Sequence, residues 1–290
     1  MSTPIILGTA TPGGGFPLYG GAFADTINET DPALNVEPRN TKGSTENIPL
    51  LEAGQIDIGL VTGEPAYEAF EGIGRARSDL KIITAMYSTA GMFVVRGDNP
   101  ARSIDDLKDK PVAFGAKGSG LTILSRYVLD GLGLDQNEDF QAIFLDKAGD
   151  GPAMVLDGRA AALWGGGVGW PGFAAVAEKS GRFIAPTPAE AARIRAKHSF
   201  LKAITLPAGS YPGQNAPVHS VGSWSFVLAR PTLDDDIAYA LARALHKGHA
   251  AFAKRLAQAA ETTPQNTAAA APWPELIHPG AQKYLREMGL

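Results

Sequence analysis

Short apolar runs of strand type alternate with segments of helical spacing along most of this chain, and clusters of glycine and hydroxyl residues stand where strand gives way to helix. Such alternation marks parallel sheets covered by helices. Ile5 to Thr9 reads as a first strand. After a glycine-rich turn, Phe16, Tyr19, Phe23 and Ile27 recur at helical spacing, with Pro17 in the first turn, where a helix tolerates it. Leu34 to Arg39 predicts a strand, Ser44 to Ala53 a helix stopped by Gly54, and Ile56 to Val61 a buried strand. Leu80 to Tyr87 and Met92 to Arg96 read as two strands separated by a turn over Ser88, Thr89, Ala90 and Gly91. Ser103, with Asp106 three residues later, predicts the cap of a short helix before the strand Pro111 to Gly115. Leu121 to Leu132, Phe140 to Leu145, Pro152 to Leu156 and Ala160 to Trp164 continue as helix, strand, helix and strand. Val221 to Ala229 is a further strand, and Asp234 to Ala260 a long alanine-rich helix whose opening acids Asp234, Asp235 and Asp236 favour its dipole.

A chain of 290 residues exceeds the usual single-domain size, so two lobes are expected. The order of elements predicts a discontinuous first lobe, residues 1–91 plus 221–290, and a second lobe over 92–220, with a hinge where the chain crosses near 92 and 221. Apolar residues make up 44% and charged residues 19%, so no tract is polar enough to resist packing. A formal charge of -4 without a basic block gives no footprint for a phosphate backbone, and nucleic acid is set aside as a partner. The absence of cysteine removes disulfides, thiolate metal sites and thiol nucleophiles. No run approaches the roughly 20 apolar residues of a membrane helix. The start, Met1 to Leu7, lacks a charged region before a cleavage site, so an export signal is expected to have been removed from this chain.

A glycine or hydroxyl cluster lies between a strand and the following helix three times: Thr9 to Phe16, Asn40 to Ser44, and Gly115 to Gly120. A helix start carries unpaired N–H groups and about half a positive charge, and so attracts a carboxylate. Glycine lets the ligand approach the backbone. In open parallel sheets these loops gather at the carboxyl ends of the strands, and two lobes would present them face to face. Taken singly, Ser44 and Ser119 are only helix caps and the glycines only turn residues. Recurrence of one design in both lobes is what points to an anion. Gly13 to Gly15 lack the lysine and hydroxyl of a nucleotide loop, and Lys42 and Lys117 read as solvated.

Catalysis requires an acid, base or nucleophile with neighbours that tune it, and no such group is legible. His246 and His249 share a helix face without a third ligand, while His198, His219 and His278 are scattered, so neither a metal nor a cofactor is expected. An enzyme on the same fold that uses carboxylates remains the less favoured alternative.

At the same residues the chain resembles the TAXI family, the solute receptors of TRAP-type transporters. The resemblance is carried by Gly8-Thr9 through Gly13-Gly14 to Gly20-Gly21-Ala22, by Lys42 to Asn47, and by Leu50 to Gly59. Tyr211-Pro212-Gly213-Gln214 and His278-Pro279-Gly280-Ala281 add to it. It implies an α/β, two-lobed periplasmic-binding-protein fold, each lobe a mostly parallel sheet flanked by helices, with a ligand cleft between the lobes. It also implies an extracytoplasmic monomer that closes on a small anionic organic ligand and hands it to TRAP membrane subunits, rather than an enzyme. A binding protein of an ATP-driven importer, or a sensor, would share the fold. Carried onto matching positions, the pocket uses Thr11, Gly14, Gly15 and Phe16, then Thr41, Gly43 and Ser44, with Ser119 and Gly120 facing them from the second lobe. Thr62 and Tyr87, read as strand ends, join the set, as does Trp170 of the run Gly165 to Trp170, as a lid or as a core indole. Phe16-Pro17 stands where the family commonly has paired tyrosines, so the expected ligand extends from amino acids to dicarboxylates and aromatic acids.

Overall fold

The computed structural model describes residues 4–290, so the first three residues of the segment read for an export signal lie outside the described residues. The chain divides into two compact units. The first holds the chain up to Thr11, Phe16–Tyr87 and Trp224–Leu290; the second holds Pro12–Gly15 and Ser88–Ser223. The chain passes between units inside two long strands, β4 (Lys81–Val95) and β10 (Val218–Ala229).

In the first unit β1 (Ile5–Gly8) lies between β2 (Val36–Arg39) and β3 (Ile58–Val61), all parallel, and β10 adds to β3 in the antiparallel sense over Phe226–Ala229. A sheet crossed over by helices is buried on both faces. One face carries α1 (Gly15–Thr30) and α8 (Asp235–Arg255), with Tyr19, Phe23, Ile27, Leu241 and Phe252 packed on Leu60 and Val227. The other carries α2 (Ser44–Glu52) and α3 (Gly63–Glu71), with Ile48, Leu51 and Phe70 against Val61, Phe226 and Leu228. Tyr19 is fully buried, and burial pushes its phenol far above the usual range. Its hydroxyl lies 3.0 Å from Thr262 Oγ1, which gives its own proton to the Met86 carbonyl, so Tyr19 is the donor to Thr262.

In the second unit β5 (Pro111–Ala116) is parallel to β6 (Gln141–Leu145) and to β7 (Ala162–Gly166), and β4 lies antiparallel to β7 and to β8 (Arg182–Ile184). Here β10 pairs with β9 (Lys202–Leu206). Helices α4 (Gly120–Leu132) and α7 (Pro188–Lys197) pack Leu124, Val128 and Ile194 on Phe93, Phe114 and Trp164. On the other face α5 (Gly151–Leu156) and α6 (Pro171–Ala177) pack Val155, Phe173 and Val176 on Met92, Val94 and Leu163.

Three expectations are corrected. Ser88 to Gly91 make no turn: β4 is one strand of 15 residues, and Tyr87 lies inside it rather than at a strand end. Gly91 is there for packing, since a Cβ would stand 2.7 Å from the Trp164 indole. The long final helix stops at Arg255, not Ala260; extended Leu256 turns the chain so that Ala259 and Thr262 enter the core. Ser44 does not cap α2, because Gly43 occupies the N-cap and the serine hydroxyl is engaged elsewhere. The reciprocal bonds of Ser103 and Asp106 do form, with Asp106 N–H giving to Ser103 Oγ at 3.2 Å and Ser103 N–H to Asp106 Oδ2 at 2.9 Å, but the helix is a single 3-10 turn, Asp105–Leu107, whose N-cap is Ile104 rather than Ser103.

Candidate functional site

Because β1, β2 and β3 run the same way, the segments that follow them gather at one edge of the first unit. Side chains there tie the loops together. Asn47, wholly buried in α2, donates through Nδ2 to the carbonyls of Gly8 at 3.3 Å, Thr9 at 2.8 Å and Leu60 at 2.8 Å. Thr41 Oγ1 donates to Thr9 O at 3.0 Å and accepts from Gly43 N–H at 3.1 Å, while Ser44 Oγ accepts from Thr62 N–H at 3.1 Å. A Cβ on Gly8 would stand 2.7 Å from Asn47 Oδ1, so the glycine makes room for this amide. Helices α2 and α3 open on Gly43 and Thr62 without a side-chain cap bond. Of the residues expected to bind ligand, Thr41, Gly43, Ser44 and Thr62 are therefore drawn into one bonded group. Phe16 and Tyr87 are core residues on the α1 face, and Thr11 lies half-buried on the first loop.

In the second unit the loops after β5, β6 and β7 share an edge for the same reason. Left-handed glycines shape them: Gly115 at φ 106°, Gly118 at 82°, Gly167 at 86° and Gly169 at 67°. Ser119 caps α4, accepting from Leu121 N–H at 3.2 Å, with Gly120 buried as the first helical residue. Gly14 and Gly15 sit in the short segment Pro12–Gly15 of this unit, where a Cβ on Gly13 would meet the Gly149 backbone at 2.6 Å. Trp170 is 4% exposed, with its ring against Phe173, and a Cβ on Gly165 would stand 2.2 Å from it. Its indole is a core group that supports the loop. Tyr211 fixes the loop backbone, accepting from Trp170 N–H at 2.8 Å and donating to Gly167 O at 2.6 Å. Burial raises its phenol well above the usual range, so the donor is kept.

Ser44 and Ser119, one in each unit, share a property. Each hydroxyl accepts from a backbone N–H, which leaves the O–H to donate and polarises it for doing so. The buried polar residues include no lysine or arginine among the described residues, and the Glu64 carboxyl is buried in the first turn of α3, while Lys42 stands exposed on the loop that opens α2. Lys117 is exposed and paired with Asp146. The histidines have structural partners: His246 with Tyr284, His249 with Ala260 O, His198 with Asp130 and His219 with Thr205. His278 is 2% exposed and caps α10 (Pro279–Glu287). Among the described residues no helix is long and apolar enough to cross a membrane.

Asn47 and Tyr211 were not selected as site residues from sequence, although both fall within the segments that carry the family resemblance. The available signal at Asn47 was a polar side chain among the apolar positions of a helix.

Solved structures with the same architecture bind solutes. MatC from Rhodopseudomonas palustris with bound malate matches 100% of this chain and 98% of its own at 13% identity, with a TM-score of 0.63. A TctC solute binding protein from Polaromonas matches 99% of this chain and 98% of its own at 16% identity and a TM-score of 0.53. The periplasmic aliphatic sulphonate binding protein SsuA from Escherichia coli matches 99% of this chain and 79% of its own at 18% identity and a TM-score of 0.54. At these identities the likeness is one of fold, the α/β fold of periplasmic binding proteins. A family model matches residues 7–289, nearly the whole sequence, and the chain belongs to the NMT1-like family.

Proposed function

We propose that this protein is the extracytoplasmic solute receptor of a TRAP transporter of the TAXI type, which captures a small carboxylate-bearing organic ligand and delivers it to membrane subunits without chemical conversion. The observation that carries the reading is the shared state of Ser44 and Ser119, each at the start of a helix at the loop edge of its unit and each with its hydroxyl proton left to give. The ligand's anionic group sits on the loops of Thr11 to Phe16 and Thr41 to Ser44, Thr62 lies beside it, and Ser119 and Gly120 engage it as the units close about β4 and β10. Tyr87 and Trp170 take part as buried supports of the walls. Neutral hydroxyls and helix starts hold a carboxylate well enough without a buried cation. The solved relatives named above are solute-binding proteins, which agrees with a binder rather than an enzyme.

A binding protein of an ATP-driven importer is the second reading, because the fold is also that of a substrate binding protein of an amino acid ABC transporter, with a TM-score of 0.51. A thermal-shift screen of amino acids, dicarboxylates, aromatic acids and alkyl sulfonates tests the proposal. Saturating ligand at about 100 times Kd stabilises by about 2.7 kcal/mol. A rise in Tm with carboxylates is expected, accompanied by compaction in solution scattering. A response to sulfonates alone would contradict the carboxylate reading, and binding without compaction would contradict closure.

A further inference from the structure

The register between β3 and β10 runs Ile58 to Ala229, Gly59 to Leu228, Leu60 to Val227 and Val61 to Phe226. Continued by one step, the same register would bring Ser225 opposite Thr62, the extended residue that opens α3, at the edge where the loops of the first unit gather. Side chains alternate along a strand, so both residues share the face of Leu60 and Val227, which also carries Phe16, Tyr19 and Tyr87. Ser225 is 1% exposed and Thr62 6%, yet neither Ser225 Oγ nor Thr62 Oγ1 has a hydrogen-bond partner. Buried hydroxyls are nearly always paired, and two unpaired ones side by side at a binding edge call for an occupant. Thr62 N–H is bonded to Ser44, so the pair adjoins the loop assigned to the carboxylate.

We propose that Thr62 and Ser225 read a hydroxyl on the carbon next to the ligand's carboxylate, making the ligand a 2-hydroxy acid; this rests on the solute-binding reading above. A hydroxyl both donates and accepts, as the two protein hydroxyls do, so one ligand oxygen satisfies both. A second carboxylate fits this position poorly. No buried lysine or arginine is found among the described residues to neutralise it, and a carboxylate buried without a cation is costly.

The test is calorimetric titration of matched acids: lactate against propionate, 2-hydroxybutyrate against butyrate, and malate against succinate. The wild type is expected to bind the hydroxy member about tenfold or more tightly, because the analogue leaves buried hydroxyls unpaired. Ser225→Ala is expected to cut that preference to about threefold or less while leaving affinity for the deoxy acid unchanged; Thr62→Val, at a residue beside the carboxylate, is expected to cut the preference as well and is read by the ratio within each pair, and Thr62→Ser is expected to retain it. Melting without ligand checks the fold, and Ser225→Ala, which deletes one unpaired oxygen, should melt no lower than the wild type. Equal affinities within each pair, or a preference intact in both deletion variants, would overturn the hydroxyl reading and leave the solute-binding reading standing. Failure of all six acids to bind the wild type would overturn the hydroxy acid reading, and the solute-binding reading would fall with it only if the amino acids and aromatic acids of the wider screen failed as well.

Discussion

The two units solve one problem with different means. In the first, loops that follow parallel strands are held by side chains, with Asn47 reaching three carbonyls and Thr41 and Ser44 bridging neighbouring segments. In the second, the equivalent edge is shaped by glycines at positive φ, and one phenol, Tyr211, secures the loop after β7. A bonded web holds a preformed surface, whereas a glycine-shaped edge depends on backbone geometry at a few positions. The contrast implies that the first unit's edge is stiff and the second's more readily remodelled by ligand.

The largest effect that breaks this contrast is expected from Asn47→Ala. It removes the amide that donates to the carbonyls of Gly8, Thr9 and Leu60, of which Thr9 O keeps the Thr41 hydroxyl, and should cost about 3 kcal/mol in urea denaturation, with hydrogen exchange rising around residues 41–62. Tyr211→Phe removes one donor and one acceptor from the second unit and should cost about 2 kcal/mol, with exchange confined to residues 165–170. Equal spread of exchange in the two variants would erase the distinction between the units. Gly118→Ala forces a side chain into φ 82° and should lower stability by about 1 kcal/mol while weakening ligand binding, since Ser119 moves with it.

The smallest expected effect is the pH response of the first unit through His278. Burial holds its pKa below the ordinary 6.5, against the pull of the Asp235 carboxylate at 3.6 Å and the Leu233 carbonyl. The neutral ring accepts from Gly280 N–H and gives to Leu233 O, so the native state resists protonation. Below pH 6.5 the unfolded chain binds the proton first; stability is therefore full above 6.5 and drains as pH falls, until native His278 itself titrates. His278→Gln should flatten that part of the stability profile, and an unchanged slope would remove His278 as its source.

Strand and helix alternation made the fold class readable, because apolar periodicity reflects which face is buried, and Phe16, Tyr19, Phe23 and Ile27 do line the core side of α1. Punctuation was less readable. Ser88 to Gly91 have turn residues, but neighbouring strands and the Trp164 ring hold them extended. Several helices passed unread despite local signals, among them α7, where Thr187 and Glu190 form a capping box around Pro188. At the site, glycine and hydroxyl clusters identified the loops. The residues that organise them, Asn47 and Tyr211, act across 38 and 44 residues of chain, as with Thr9 and Gly167, and no local pattern reports such pairings.

The central claim is that one ligand is held by both units through hydroxyls at helix starts. Calorimetric titration of the tightest carboxylic acid from the screen against Ser44→Ala and Ser119→Ala tests it directly. Loss of a charge-assisted hydrogen bond predicts that each variant weakens binding by roughly 1.5 to 3 kcal/mol. Unchanged affinity in either variant would contradict the claim that both units hold the ligand.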